Sequence, residues 1–224
     1  MDGILAEMSA ASKIFHRSGV KTTALNKVTF QANAGELVLL LGPSGSGKTT
    51  FLTMLAGLQK PSDGEVSVYG KNIKDYSSKE LQILRARHIG FIFQTFYLLD
   101  SLTSIENVML VLKFAGVSKN ESRVHAEELL DRFGVKHLMN AFPKTLSQGE
   151  KQRVAVARAL ANGAELILAD EPTGSLATQQ GITIVQYLKE AVKTENRCVI
   201  IASHDERIKP FADRVLHLSD GEMI

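Results

Sequence analysis

Residues 42–49 have the types and the spacing that are needed to hold a polyphosphate. They are Gly42, Pro43, Ser44, Gly45, Ser46, Gly47, Lys48 and Thr49, and they match the pattern G-x-x-x-x-G-K-[ST] at every position. Glycines let the backbone curl until several N–H groups point at one anion, and a lysine brings a mobile positive charge to the terminal phosphates. The segment, with Thr50 after it, therefore predicts a phosphate-binding loop of a nucleotide site, in which the Thr49 hydroxyl is also a ligand for Mg²⁺.

The residues on either side of this segment predict the strand and the helix that such a loop requires. Residues 37–41 form an apolar run of strand length before it, and four apolar residues at helical spacing follow it: Phe51, Met54, Leu55 and Leu58. The phosphates would then lie at a helix N-terminus, where backbone dipoles favour negative charge. The alternative is a Gly/Ser turn with a lysine present by chance, which does not account for the full match.

Two carboxylates follow a second apolar strand. Residues 166–169 are apolar and predict a core strand, and Asp170 and Glu171 come directly after it. Ligands of open α/β sheets bind beyond the carboxyl ends of the strands. Asp170 is thus placed to hold Mg²⁺ through water, and Glu171, whose side chain points elsewhere, to polarise an attacking water. The alternative is a strand that ends in a solvated acidic turn.

The remaining pattern predicts an α/β fold. Alternating strand patterns dominate the first third, and helical spacing dominates residues 95–155. Two nearly continuous apolar strands then flank a helix over residues 179–194, which favours a buried parallel sheet. We expect a single domain over residues 1–224. It would have a P-loop NTPase core with a mostly parallel sheet, an antiparallel β portion near the N-terminus, and an inserted α-helical subdomain at about 95–155.

The composition of the chain limits the classes of protein to which it can belong. The chain has 224 residues, 44% of them hydrophobic, which suits one substantial core. Its charges are mixed in sign with a net charge of +2, so no nucleic-acid partner is expected. The single cysteine, Cys198, permits no disulfide within the chain, which fits a reducing compartment. No signal-peptide pattern and no apolar run near ~20 residues is present, so we expect a soluble protein that can still dock on a membrane protein.

Residues 146–153 begin Leu-Ser-Gln-Gly-Glu, and this segment resembles the signature of the ATP-binding-cassette (ABC) ATPases, Leu-Ser-Gly-Gly-Gln at the start of a helix. Ser147 and Gly149 match, whereas Gln148 and Glu150 replace a glycine and a glutamine. The resemblance implies that Ser147 and Gly149 bind the γ-phosphate of an ATP held by a second copy of the chain, as suits an anion site at a helix N-terminus. The residues alone also fit an ordinary helix with a capping box formed by Ser147 and Glu150.

Three further positions gain a role through this resemblance. Gln94 follows a short apolar strand and corresponds to the glutamine that contacts Mg²⁺ and water. His204 follows the strand that ends at residue 203 and corresponds to a histidine that contacts the γ-phosphate and couples to Glu171. Phe15 corresponds to an aromatic residue that stacks on adenine. Without the resemblance they would be a surface glutamine, a structural histidine and a core or strand-edge aromatic residue.

One position departs from the family pattern. Residues 171–176 read Glu-Pro-Thr-Gly-Ser-Leu, and the family continues with aspartate where this chain has Ala177. That aspartate takes part in contacts across the dimer, so its replacement removes a charge-assisted hydrogen bond from each half-site. We expect altered cooperativity between the two sites and not inactivation.

The resemblance runs from about residue 5 to residue 223, with six motifs in family order. The motifs are most similar to a group that includes the lipoprotein-releasing and macrolide-exporting ATPases and the ATPase of the cell-division permease. Membership implies ATP hydrolysis with Mg²⁺, a second copy in an ATP-sandwich dimer, and an integral membrane permease that holds the chain at the inner face of the cell membrane. The implied catalytic residues are Lys48, Glu171 and His204, and the implied metal ligands are Thr49, Gln94 and Asp170.

Two kinds of function remain open at this point. The first is the ATPase subunit of an exporter or a mechanical-coupling system, and the second is a nucleotide-gated module that controls a membrane partner without transport. A soluble ABC protein and a small-molecule kinase are less well supported, because the sequence has no long coiled-coil insertion and does have the signature segment. The permease is expected to contact residues 94–107, where four apolar residues form either a docking face or the helical subdomain's own core: Phe96, Tyr97, Leu98 and Leu99.

Overall fold

The computed structural model describes residues 3–17, 19–174, 176 and 178–224, and of these it describes Arg17 and Thr178 by their backbone alone. Over these residues the strands are β1 (Ile4–Arg17), β2 (Val20–Asn33), β3 (Leu37–Leu41), β4 (Asp63–Val68), β5 (Lys71–Asn72), β6 (Ile89–Ile92), β7 (Leu166–Asp170), β8 (Cys198–Ser203), β9 (Arg214–Ser219) and β10 (Glu222–Met223). The α-helices are α1 (Lys48–Leu55), α2 (Ser78–His88), α3 (Ser104–Ala115), α4 (Lys119–Arg132), α5 (Gln148–Ala161) and α6 (Thr178–Glu195). Three 3₁₀ turns lie at Lys136–Leu138, Pro143–Thr145 and Glu206–Phe211.

The central sheet has the strand order β10-β9-β3-β8-β7-β6. Its pairs are parallel except for the pair of β9 and the edge strand β10, which is antiparallel. Every residue of β3, β7 and β8 is buried, as the apolar runs predicted. The mostly parallel sheet is therefore confirmed. Because the carboxyl ends of its parallel strands meet at one edge, the residues that follow β3, β6, β7 and β8 are brought to the same place.

A second sheet is antiparallel, with the order β2-β1-β4-β5, and confirms the predicted antiparallel portion near the N-terminus. Helix α1 lies between the two sheets, since its buried side chains share one apolar cluster with residues of β2 and β3. The Phe30 and Phe51 rings meet edge to face, 5.1 Å apart. Leu58 was wrongly included in this helix. The helix ends at Leu55, Gly57 adopts a left-handed φ of +61°, and Leu58 is exposed.

Helices α3, α4 and α5 occupy the chain between β6 and β7 and bury their apolar faces together. The periodic residues Ala126, Leu129, Leu130 and Phe133 are all buried in this cluster, as their spacing predicted. Each helix begins with a capping box, in which a Ser or Thr side chain and a Glu three residues later satisfy free N–H groups. The pair at Ser147 and Glu150 is one of them, so that prediction is confirmed. Among the described residues, no helix has the length and apolar character required to span a bilayer.

The contact between α5 and β6 depends on the absence of a side chain at Gly90. A Cβ atom there would lie 2.1 Å from the Ala159 carbonyl oxygen and 2.6 Å from Ile167 Cδ1. Because the backbone would have to move, we expect Gly90→Ala to lower the free energy of unfolding by about 1–3 kcal/mol, measured by urea denaturation. Gly174→Ala is the control, since its Cβ would meet its nearest atom at 3.6 Å. Equal unfolding midpoints for the two variants would contradict the tight contact.

Candidate functional site

The phosphate-binding loop occupies the turn between β3 and α1, as the sequence predicted. Gly47 precedes the first helical residue with a φ of +107°, and a Cβ atom there would lie 2.3 Å from the Ala24 carbonyl oxygen. Only glycine fits both conditions. Because β3 pairs in parallel with β8, the loop and the start of α1 lie at the carboxyl ends of the parallel strands.

Lys48 lies inside this loop and not in solvent. Its side chain is only 7% exposed, and its ammonium group donates to the carbonyl oxygens of Gly42, at 2.7 Å, and Pro43, at 3.0 Å. Its third neighbour is Glu171, whose Oε1 atom is 3.5 Å from Nζ. The structure thus brings the lysine of the first motif against the carboxylate of the second, although the two residues are 123 positions apart in the sequence.

Asp170 and Thr49 form a pair of oxygen ligands beside the lysine. The Thr49 hydroxyl donates to Asp170 Oδ2 at 2.7 Å, and Asp170 is almost completely buried. Burial raises the pKa of Asp170 above its ordinary value, while the hydrogen bond from Thr49 opposes that rise. A bound cation would favour the charged carboxylate. Within the described part of the chain no group of three or more His, Cys, Asp or Glu side chains is arranged to hold a metal alone. The hydroxyl of Thr49 and the carboxylate of Asp170 are oxygen donors of the kind that suits Mg²⁺, which commonly uses one or two carboxylates together with phosphate oxygens and water.

Gln94 completes one side of the same space. It lies two residues beyond β6 and is exposed. A cavity of about 210 Å³ is lined by Ala24, Ser44, Gly45, Gly47, Lys48, Thr49, Thr50, Gln94, Asp170 and Glu171. Three of the predicted motifs thus open onto one cavity. Ala24, which lines it from β2, was missed by the sequence analysis because an alanine in a polar stretch carries no chemical signal.

Glu171 has an unusual backbone conformation for a residue with a side chain. Its φ is +47°, a left-handed value that costs about 1–3 kcal/mol outside glycine. Its N–H donates to the Ala202 carbonyl oxygen at 2.8 Å, so the residue is attached to the end of β8. The carboxylate is 10% exposed, with His204 Nδ1 2.9 Å from Oε1 and the Ser203 hydroxyl 3.1 Å from Oε2. The predicted proximity of His204 and Glu171 is present, and Ser203 is a contact that the sequence analysis missed.

Ser147 and Gly149, at the start of α5, are not among the residues that line this cavity. The Ser147 hydroxyl and N–H group both donate to Glu150 Oε2, at 2.8 Å and 2.7 Å. Both hydrogen bonds lower the pKa of Glu150, the one from the Ser147 N–H group more than the one from the hydroxyl, so Glu150 is ionised near neutral pH. A negative charge thus stands at the position where the family has glutamine.

Phe15 lies on β1 and is partly exposed, with Lys13 Nζ 5.3 Å from the centre of its ring. It does not line the 210 Å³ cavity. Ala177, the departure from the family pattern, lies outside the described residues.

The four apolar residues after Gln94 divide between the two expected environments. Leu98 packs against the helical cluster, and Phe96 is partly buried, whereas Tyr97 and Leu99 are exposed. Tyr97 and Leu99 line an apolar groove of about 790 Å³ together with Leu58, Ile83, Phe91, Phe93, Leu110, Val111 and Phe114. Leu98 thus belongs to the core of the helical subdomain, whereas a docking role for the exposed Tyr97 and Leu99 stays a prediction, and the groove extends beyond the predicted segment onto α2 and α3.

Arg158 of α5 fixes the backbone beside this groove. Its guanidinium donates to the carbonyl oxygens of Tyr97, at 2.6 Å, and Phe96, at 2.7 Å. Desolvation by burial lowers the pKa of Arg158 to about 10. Phe96 and Tyr97 have left-handed φ values of +61° and +46°, so the guanidinium stabilises a backbone conformation that is unfavourable by itself.

Comparison with known proteins gives matches over most of the chain. Residues 25–174 match a family model described as ABC transporter. The chain is 41% identical to the ATP-binding protein HrtA of Staphylococcus haemolyticus, whose name assigns it to hemin import. The match covers 97% of this chain and 98% of HrtA. It is 40% identical to the macrolide export ATP-binding/permease protein MacB of Hahella chejuensis, over 98% of this chain but 34% of that protein. The chain therefore spans about a third of MacB's length.

A solved structure has the same fold. It is a dimeric post-hydrolysis state of the ATP-binding cassette MJ0796 bound to ADP and Pi, with a TM-score of 0.93 and 37% sequence identity. The match covers 98% of this chain and 96% of that one.

Proposed function

The chain belongs to the ABC transporter family, and on that premise we propose that it is one ABC ATP-binding domain that binds and hydrolyses ATP as the nucleotide-binding subunit of a membrane complex. The observation that carries the proposal is the single cavity onto which the phosphate loop, Gln94, Asp170 and Glu171 all open. Lysine, carboxylates and loop N–H groups at one place are the parts that phosphoryl transfer requires.

Each part of the site has a task that its position supports. The loop N–H groups and Lys48 bind the phosphates, and the ammonium group neutralises charge that develops on the γ-phosphate. Glu171 orients the attacking water, and His204, next to it, contacts the γ-phosphate. Phe15 stacks on adenine. Mg²⁺, when bound, would screen the phosphate charge, held by Thr49, Asp170 and Gln94.

The complete site requires a second copy of the chain. Ser147 and Gly149 lie at the start of α5, away from the lining of the cavity in their own chain. We propose that they bind the γ-phosphate held by the partner copy in an ATP-sandwich dimer. The dimeric state of the related cassette MJ0796 supports this arrangement. Closure of the dimer on ATP and its reopening after hydrolysis then do mechanical work.

The partner that receives this work is, we propose, an integral membrane permease of an exporter or mechanical-coupling system. MacB, by its name, joins an ATP-binding part to a permease, and this chain corresponds to about a third of it. The permease binds the apolar groove, which would place the chain in the cytoplasm at the inner face of the membrane. A nucleotide-gated module without transport is the alternative, and ATP-driven movement of a cargo in reconstituted vesicles separates the two.

The permease proposal predicts the outcome of an affinity capture. Tagged Glu171→Gln protein, incubated with ATP and detergent-solubilised membranes, should retain a multi-spanning permease. Adding Phe114→Asp should abolish capture, because Phe114 is 68% exposed in the groove and a buried carboxylate there is costly.

Val124→Asp is the matched control for this experiment. Val124 is also an exposed apolar residue, at 58%, but it lies on α4 outside the lining of the groove. Capture should therefore survive this change. Equal capture by the two aspartate variants would contradict the assignment of the groove, and recovery of the chain alone or of soluble complexes would contradict the membrane partner.

A further inference from the structure

Besides Lys48, whose Nζ atom is 3.5 Å from Oε1, the carboxylate of Glu171 contacts two residues at the end of β8 that differ greatly in exposure. His204 contacts Oε1, and its side chain is 68% exposed. Ser203 contacts Oε2 and is completely buried at the last position of β8. Water competes for the first hydrogen bond and is excluded from the second, so the buried bond contributes more to the orientation of the carboxylate.

The direction of the Ser203 hydroxyl is also fixed. Its oxygen accepts a hydrogen bond from the Asp205 N–H group at 3.1 Å. An ionised carboxylate can only accept, so the single hydroxyl proton of Ser203 is given to Glu171. One side chain thereby joins the Glu171 carboxylate to the turn that carries His204.

The left-handed backbone of Glu171 makes its contact with Ser203 more important. Residues in β7 and β8 pair in parallel up to Asp170 and Ala202, and Glu171 leaves the ladder at the next position with its left-handed φ. A strained residue at the end of a strand keeps its conformation only when its surroundings hold it. The Ala202 carbonyl holds its N–H group, and Ser203 holds its carboxylate.

We infer that Ser203 is the positioning residue that sets the orientation of the Glu171 carboxylate toward the attacking water, with the exposed His204 as a secondary contact. The inference rests on the proposed function, because it requires Glu171 to act on that water. Ser203 is buried and does not line the 210 Å³ cavity. Its effect therefore appears in kcat and not in the affinity for ATP.

The test compares ATP turnover by Ser203→Ala and Ser203→Thr. A carboxylate displaced by a fraction of an ångström loses near-attack geometry, so kcat of Ser203→Ala should fall by about 10- to 100-fold while KM for ATP stays within about twofold. Ser203→Thr keeps the hydroxyl and should recover most of kcat. Ser104→Ala is the matched control, because Ser104 is equally buried and donates to a backbone carbonyl, but lies on α3. It should leave kcat unchanged.

A second measurement does not depend on whether threonine fits the site. In a Glu171→Gln background, Ser203→Ala should cause no further loss of turnover, because the two residues act as one unit. An unchanged kcat in Ser203→Ala, or a full additional loss in the double variant, would overturn the inference. If Glu171→Gln alone keeps normal turnover, the proposed function fails, and that outcome is distinct from a failure of Ser203 alone.

Discussion

Glu171→Gln is expected to bind ATP with nearly unchanged affinity and to hydrolyse it at least about 100-fold more slowly, the usual range for loss of a general base. Glutamine has the shape of glutamate and still offers an oxygen to Ser203, so the site should remain folded. It has no negative charge and cannot polarise water. Stopped-flow turnover and equilibrium binding of a fluorescent ATP analogue separate the two effects.

The same variant should accumulate as an ATP-bound dimer, because the hydrolysis that we propose reopens the dimer is blocked. Size-exclusion chromatography with and without ATP measures this. Glu165→Gln is the control, since it makes the same change just before the opposite end of β7, at an exposed residue. It should leave turnover and oligomeric state unchanged. Near-normal hydrolysis by Glu171→Gln would refute its assigned role.

Lys48→Ala is expected to act at an earlier step and to lower the affinity for ATP itself. The Lys48 ammonium group is buried in the loop and supplies charge-assisted hydrogen bonds worth about 1.5–3 kcal/mol each, so affinity should fall by roughly 10- to 100-fold or more. The change also removes the only cation within 4 Å of Glu171 among the described lysine and arginine side chains, which leaves two carboxylates side by side in the cavity. Like charges there would further disfavour the phosphates.

Isothermal titration with ATP measures the loss, and Lys60→Ala is the control. Lys60 is an exposed lysine shortly after α1, whose ammonium group contacts the Lys74 carbonyl oxygen at 3.5 Å, away from the cavity lining. Its removal should leave ATP affinity within about twofold. If Lys48→Ala binds ATP as tightly as Lys60→Ala does, the phosphate contact assigned to Lys48 is incorrect.

Local patterns were enough to predict the parts of the fold that carry strong sequence signals. The apolar runs of β3, β7 and β8 and the capping box at Ser147 are present because burial and N–H satisfaction act over a few residues. The length of β1 was not predicted. Its pairing with β2 contains several register shifts, so its apolar residues do not alternate regularly.

Features that depend on distant parts of the chain were harder to predict. A single serine at the end of a strand forms no recognisable sequence pattern. The contact of Ser203 with Glu171 could be identified only once β7 and β8 were known to lie side by side. The segment after Gln94 was ambiguous because an apolar run does not tell which of its side chains face the core. The backbone of the segment is bound by Arg158, which lies 61 positions further along the chain than Tyr97 and therefore gives no local signal.

The contacts of Arg158 also have a consequence for how this surface can diversify. The guanidinium binds carbonyl oxygens, which every amino acid possesses, and not the side chains of Phe96 and Tyr97. The backbone beside the groove can therefore keep its shape while the side chains that face the groove are exchanged. Substitution at a few surface positions can in this way change the chemistry of the groove without any change to the cavity on the other side of Gln94.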